Sequence, residues 1–307
     1  MIKSEPMVHV VRSGLVDLVH HGCLAVADTE GKIVYSVGDP ERPAYMRSSA
    51  KPLQAIATVE SGALEEFNLN KTELAIMCAS HAGQDIHVQT VRTILGKIGL
   101  SEAALQCSTD NPIRDNCSGK HAGMLTFCVF HKLPVENYLA DNHPVQIAIR
   151  KVIAEICDLE TVEYGIDGCG APNFYMPLRN MALGFARLAN PDGLPTKRAE
   201  ALSKIVSAMQ AHPEMTGEIR DGKTWPKEIV AKGGALGAYC GGILNKNRGI
   251  AVKIDDGSGQ VASMVFTAAV RKLNLANLEE LDAYENLHSY VITNRRGEIV
   301  GKMEVVF

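Results

Sequence analysis

The sequence predicts a mixed α/β fold of the α+β kind, with one antiparallel sheet made from both ends of the chain and packed against a helical lobe. Three observations lead there. Residues 7–37 hold β-branched runs around the turn Thr29-Glu30-Gly31, and residues 289–307 repeat that pattern around Arg295-Arg296-Gly297, so both ends read as hairpins. Residues 228–255 are strand-like again, as EIVAKGG, LGAYCGGIL and RGIAVKID. The stretch between them carries helical periodicity. Hairpins that share one sheet bring the chain ends together, so residues 1–307 are expected to form a single unit. Its sheet lobe is expected at about 1–50 and 228–307, and its helical lobe at about 51–227.

Along the helical lobe, residues 52–66 read as a helix, although Pro52 disfavours helical geometry at Lys51. The apolar run LAIMC at 74–78 reads as a strand. In 86–99, Val88, Val91, Ile94, Leu95 and Ile98 form one helical stripe. Residues 119–132 are apolar almost all round, as in a buried helix. Asn142 and Pro144 open the helix VQIAIRKVIAEIC, and Thr196 is placed to cap the helix 197–211. Residues 260–273 supply a last helix before the final hairpin.

With 46% hydrophobic and 21% charged residues and a net charge of -4, the composition is that of an ordinary globular protein. No basic run interleaved with aromatics is present, and Trp225 is the only tryptophan, so no nucleic-acid partner is expected. The N-terminal MIKSEPMVHVVRSG lacks signal-peptide features and no apolar run reaches the ~18 residues of a membrane span, so a cytoplasmic protein with no membrane partner is expected. Its eight cysteines are then expected to be mostly reduced. Cys23, Cys78, Cys128 and Cys157 sit among apolar residues as small buried hydrophobes.

Four segments carry candidate chemistry. In Arg47-Ser48-Ser49-Ala50-Lys51, Ser48 and Lys51 stand at i and i+3 and share a face, whereas Ser49 points elsewhere. A serine hydroxyl needs a neighbouring base, and a lysine serves only when burial or nearby cations lower its pKa. The same pattern also suits a helix start with a solvated lysine. Ser80-His81-Ala82-Gly83 presents a hydroxyl on a tight turn, either functional or capping the next helix. Lys232-Gly233-Gly234 follows EIV, where glycines let a ligand lie against an edge strand or mark a bulge beside a surface lysine. Cys117 and Lys120 fall in the first turn of the apolar helix, where a thiolate is favoured, and Cys169 lies in the Gly-rich loop Asp167-Gly168-Cys169-Gly170. Two thiolates suit zinc, but they also suit a redox-active or buried cysteine pair. His121 is the obvious third ligand by type, yet it is adjacent to Lys120 and points differently.

The order Ser-x-x-Lys, second serine, then Lys-Gly on a strand is similar to that of class A β-lactamases and penicillin-binding proteins. The absence of an export signal argues against a cell-wall enzyme. The longer motifs Met46-Arg47-Ser48-Ser49-Ala50-Lys51-Pro52-Leu53-Gln54, Ser80-His81-Ala82-Gly83, Cys117-Ser118-Gly119-Lys120-His121 and Asp167-Gly168-Cys169-Gly170 resemble the Rhizobium etli-type L-asparaginases. That resemblance runs from the first hairpin to the last.

The resemblance implies a serine β-lactamase-like fold and hydrolysis of L-asparagine to L-aspartate and ammonia. It implies the catalytic tandems Ser48–Lys51 and Ser80–Lys232, with zinc bound by Cys117, Lys120 and Cys169. A lysine ligand must be neutral, so the metal itself has to hold its proton off. The zinc is expected to shape the pocket rather than activate water. A zwitterionic substrate calls for paired charges, with Arg47 on the α-carboxylate, Asp167 on the α-ammonium and His121 near the amide. The expected macromolecular partner is a second copy of the chain, in a homodimer. A glutaminase, another small-substrate amidase or esterase, and an amino-acid-binding sensor are the alternatives. Two positions depart from the family: a glutamate often follows Ser-His-x-Gly, where this chain has Gln84, and another often follows Lys-x-Gly-Ala, where it has Leu236.

Overall fold

The computed structural model describes residues 3–220, 222–285 and 290–307. The chain opens with strands β1 (Glu5–Arg12), β2 (Leu15–Ala27), β3 (Ile33–Val37) and β4 (Pro43–Tyr45). After a 3-10 turn at Arg47–Ala50 come helices α1 (Lys51–Ser61), α2 (Ala63–Glu66), α3 (Lys71–Met77), α4 (Asp85–Lys97), α5 (Ser118–Phe130) and α6 (Pro144–Ile156). Strands β5 (Glu163–Ile166) and β6 (Pro172–Pro177) precede α7 (Leu178–Ala189), α8 (Thr196–Ala211) and α9 (Pro213–Thr216). The chain then returns through β7 (Ile219–Arg220), β8 (Lys223–Thr224), β9 (Ile229–Gly233), β10 (Ala238–Ile243) and β11 (Arg248–Ile254). Helices α10 (Gly259–Lys272) and α11 (Leu278–Glu285) lead to β12 (Val291–Thr293) and β13 (Ile299–Val305).

The main sheet runs β12-β13-β1-β2-β11-β10-β9, with β3 also beside β2, and every pairing in it is antiparallel. Its first and last long strands meet in register from Val8↔Val305 to Arg12↔Gly301, so the two ends of the chain share one sheet as expected. Strand periodicity sorts side chains by size. Cys23, Ala25 and Ala27 of β2 face the helical lobe, while Leu24 and Val26 face α10 and α11. The small-residue face lets α7 come close: a Cβ on Gly249 would lie 1.9 Å from the Ala182 carbonyl oxygen, and one on Gly242 2.3 Å from that of Phe185.

Several expectations need correction. The long N-terminal run is two strands, because Ser13 and Gly14 take φ of 47° and 82° and make a two-residue hairpin turn. LAIMC is not a strand but the body of α3. Asn70 Oδ1 accepts from the Glu73 N–H at 3.1 Å while Glu73 Oε2 accepts from the Asn70 N–H at 2.6 Å, and this capping box starts a helix. His143, rather than Asn142, caps α6, its Nδ1 accepting from the Val145 N–H at 3.2 Å. Thr196 is the first residue of α8 rather than its cap. The small sheet β4-β6-β5 and helix α7 are additions to the expected elements, although Leu178, Met181, Ala182, Phe185 and Ala189 of α7 recur with helical period and are buried. Residue 289, counted into the last hairpin, lies outside the described residues.

Candidate active site

The 3-10 turn at Arg47–Ala50 sits where the main sheet, the small sheet and the helical lobe meet. Arg47 has φ of 54°, a left-handed conformation that a β-substituted side chain adopts only when held. It is held twice: its N–H donates to Asn173 Oδ1 at 2.9 Å, and its guanidinium meets Asp167 Oδ1 at 2.9 Å. Ser48 follows, half-buried, and among the described residues its hydroxyl makes no hydrogen bond. Ser49 does point elsewhere, its Oγ donating to the Lys232 carbonyl oxygen at 2.8 Å. The edge strand β9 is thereby pinned to the turn. Gly234 is required at the junction, since a Cβ there would lie 2.7 Å from the Met46 carbonyl oxygen. The glycine expected to admit a ligand thus admits the protein's own turn.

Lys51 begins α1 with helical dihedrals (φ −56°, ψ −43°) in spite of Pro52, whose missing N–H costs nothing in a first helical turn. Its amine is buried and donates to Ser80 Oγ at 3.0 Å and to the Asn116 carbonyl oxygen at 3.1 Å. Burial, opposed by the Cys117 sulfur and helped by the charges of Lys120 and Lys232, pushes its pKa down to about 8. Ser80 Oγ is thus engaged by Lys51. Lys232 instead pairs with Glu218 Oε1 at 2.9 Å, a residue that no motif announced.

The loop carrying Ser80 is fixed from behind. Neutral His81, its pKa lowered to about 3 chiefly by burial, accepts the Gly83 N–H at Nδ1 (3.2 Å) and meets Ser118 Oγ through Nε2 (3.0 Å). At Gly83 (φ 65°) a Cβ would lie 2.5 Å from the Arg114 carbonyl oxygen. Gln84 precedes α4 and donates its backbone N–H to His87 Nδ1 at 3.2 Å. Leu236 holds a left-handed φ of 57° in the β9–β10 turn with its side chain 62% exposed.

Behind Lys51, Cys117, Lys120, His121 and Cys169 converge at the start of α5. Lys120 Nζ donates to Cys169 Sγ at 3.0 Å. Cys117 Sγ donates to Asn116 Oδ1 at 3.1 Å. The two thiols also lie against each other: contact with Cys169 and burial push the Cys117 pKa up, while Cys117, His121 and Lys120 pull that of Cys169 down. His121 is wholly buried, its Nδ1 meeting Tyr138 Oη at 2.7 Å and its Nε2 lacking a partner of normal hydrogen-bond geometry. Among the described residues no group of three or more His, Cys, Asp or Glu side chains is placed to hold a metal ion. The Cys117–Lys120–Cys169 set has only two residues of those types: its sulfurs are of the kind zinc takes, whereas the Lys120 amine, which here donates to Cys169 Sγ, would have to lose its proton to join them. All eight cysteines are buried and free of disulfides.

A cavity of about 410 Å³ lined by Met209, Pro213, Trp225 and Ile229 borders Glu218 but not Ser48, Lys51 or Ser80. Among the described residues no helix is long and apolar enough to cross a membrane.

A Ser-x-x-Lys turn wedged between an antiparallel sheet and a helical lobe is the feature around which the candidate site is built. The structure of Mglu in its native form superposes with a TM-score of 0.51 at 12% identity, covering 83% of this chain and 64% of that one. Mglu in 4.3 M NaCl gives 0.54 at 13% identity, covering 83% and 61%. At these identities the likeness is one of fold, and the chain spans a little over three fifths of Mglu's length. No curated protein sequence matches the chain. The chain belongs to the L-asparaginase II family, whose pattern matches residues 8–305.

Proposed function

We propose that this chain is an amidohydrolase acting on L-asparagine, with Ser48 as nucleophile and Lys51, Ser80 and Lys232 as its catalytic partners. The observation that carries the reading is the 3.0 Å contact from the Lys51 amine to Ser80 Oγ, three residues after the unengaged Ser48 hydroxyl. Ser48 Oγ attacks the side-chain amide carbon while Lys51 accepts its proton. Backbone amides, that of Ser48 among them, stabilise the oxyanion. The C–N bond then breaks as Lys51 passes the proton through Ser80 to the departing ammonia. Water cleaves the aspartyl ester, releases aspartate and returns the proton to Ser48.

Arg47 and Asp167, already paired, offer the two charges a zwitterion needs, and the buried Arg47 Nε is left without a partner. His121, enclosed behind Cys169, acts on the pocket from its inner wall. Cys117, Lys120 and Cys169 would hold zinc, whose fixed charge when bound shapes the pocket. The reading is of a cytoplasmic homodimer, and exposed Leu15, Val16 and Leu18 on β2 and Ile299 on β13, with β1 between the two strands, support self-association, which sedimentation at varied concentration tests.

Ammonia release from asparagine, glutamine and other amides, with a β-lactam reporter in parallel, tests the reading. Asparagine turnover that disappears in Ser48→Ala supports it, whereas preferred glutamine turnover makes the protein a glutaminase. Binding of asparagine with no turnover in the wild type would make it a sensor.

A further inference from the structure

Glu218 is a charged residue at this site that the motifs do not contain. It follows Gly217, whose φ is 75° and whose Cβ, if present, would lie 2.8 Å from the Ser80 carbonyl oxygen. The chain therefore lies against the second serine as it delivers Glu218. The Glu218 side chain is 11% exposed, and three donors converge on it. Lys232 Nζ at 2.9 Å and the Gly233 N–H at 3.0 Å reach Oε1, and Tyr239 Oη reaches Oε2 at 2.7 Å. Burial by itself would raise the carboxyl pKa, but the Lys232 charge and these donors outweigh it and hold it below the usual carboxylate range.

We propose that Glu218 is a positioning residue that, with Tyr239 and the Gly233 amide, fixes Lys232 as an ammonium ion whose task is electrostatic. The inference rests on the reading that Lys232 works in this site. Removing the proton from Lys232 would strand a buried carboxylate without its counter-charge, which is strongly unfavourable. Lys51 has no carboxylate partner: its amine donates to a hydroxyl and a carbonyl, with the Cys117 sulfur also beside it. The two lysines are thereby given different work: Lys51 moves protons through Ser80, and Lys232 supplies a fixed positive charge where negative charge develops. The groups facing the Glu218–Lys232 pair are Tyr239 from β10, Lys51 from α1 and Cys78 at the end of α3.

The test is the rate at which a fluorophosphonate probe modifies the active-site serine, followed across pH for the wild type, Glu218→Gln, Glu218→Asp and Tyr239→Phe. Glu218→Gln keeps the shape and removes the charge. It is expected to slow labelling about tenfold or more. It should also move the basic limb of the pH–rate profile about one unit to lower pH, because the ammonium has lost its counter-ion. Glu218→Asp should recover part of the rate, and asparagine turnover should fall in kcat while KM stays within about twofold. Tyr239→Phe, which keeps the ion pair, should slow labelling by about threefold and serves if Glu218→Gln does not fold. Wild-type rates and an unshifted profile in Glu218→Gln, or an unchanged rate in Tyr239→Phe, overturn the proposal. A wild type that takes the probe but releases no ammonia from asparagine sinks the asparaginase reading, and the labelling comparison still decides the role of Glu218. A wild type that does neither removes both.

Discussion

At the scale of the residue, the account turns on the environment of each amine. Burial penalises the protonated form of Lys51, so its proton is lost near pH 8 rather than in the ordinary lysine range. The sign follows: the cost of burying the ammonium is present below about 8, and stability gains as pH rises towards the ordinary value of 10.5. The rate should rise through the same region if the neutral amine is the base, as proposed. We expect kcat/KM for asparagine to climb through about pH 8. Lys51→Met should be flat and at least about a hundredfold slower. With Asp167 in its proposed role on the substrate ammonium, Asp167→Ala should raise KM about tenfold or more with a smaller effect on kcat; an unchanged KM removes that role. Ser48 and Lys51 stand out by their i, i+3 spacing, whereas the meeting of Lys51 with Ser80, 29 residues on, has no local signal. Glu218 and Asn173 were not legible either, since nothing near them in the chain hints at Lys232 or Arg47.

At the scale of the element, glycines decide how closely the parts of the site approach. A Cβ at Gly119 would stand 2.1 Å from the Ile76 carbonyl oxygen, so Gly119→Ala must separate α5 from α3. We expect it to lower the melting temperature by several degrees or more, at a cost of about 2–4 kcal/mol. Gly234→Ala strikes the contact between β9 and the nucleophile turn, and its loss should be mainly in kcat rather than in melting temperature. Ser49→Ala removes one hydrogen bond from that junction and should cost about 1–2 kcal/mol. The helices with a clear apolar stripe, α4 and α6, were readable from period alone. The five-residue apolar run 74–78 is too short to tell helix from strand, and the informative signal is Asn70 three residues before Glu73. The Ser13-Gly14 turn was hidden because the β-branched run continues on both sides of it.

At the scale of the whole molecule, the sheet made from both chain ends holds the site's two halves together. The Ser48 turn follows the N-terminal strands and Lys232 lies on the far edge, joined through β11 and β10. Ending the chain before β13 strips β1 and β12 of their partner, so the shortened protein is expected to lose its single cooperative melting transition rather than shed one hairpin. The fold was legible at this scale because both termini carry turn-broken β-branched runs. The meeting of Cys117 and Cys169, by contrast, rested on resemblance, because no local pattern links positions so far apart. Metal analysis of protein purified without chelator is expected to find about one zinc per chain, and far less in Cys117→Ala. If zinc shapes the pocket without activating water, chelated protein keeps measurable kcat at saturating asparagine. Complete loss of kcat contradicts that role.

The central claim is that Ser48 attacks an amide with Lys51 as its base, and the most direct test is mass spectrometry of protein acid-quenched during asparagine turnover. An aspartyl ester on the peptide containing Ser48, absent in Ser48→Ala and reduced in Lys51→Met, is the expected result. An adduct confined to Ser80, or turnover with no adduct on either serine, would contradict it.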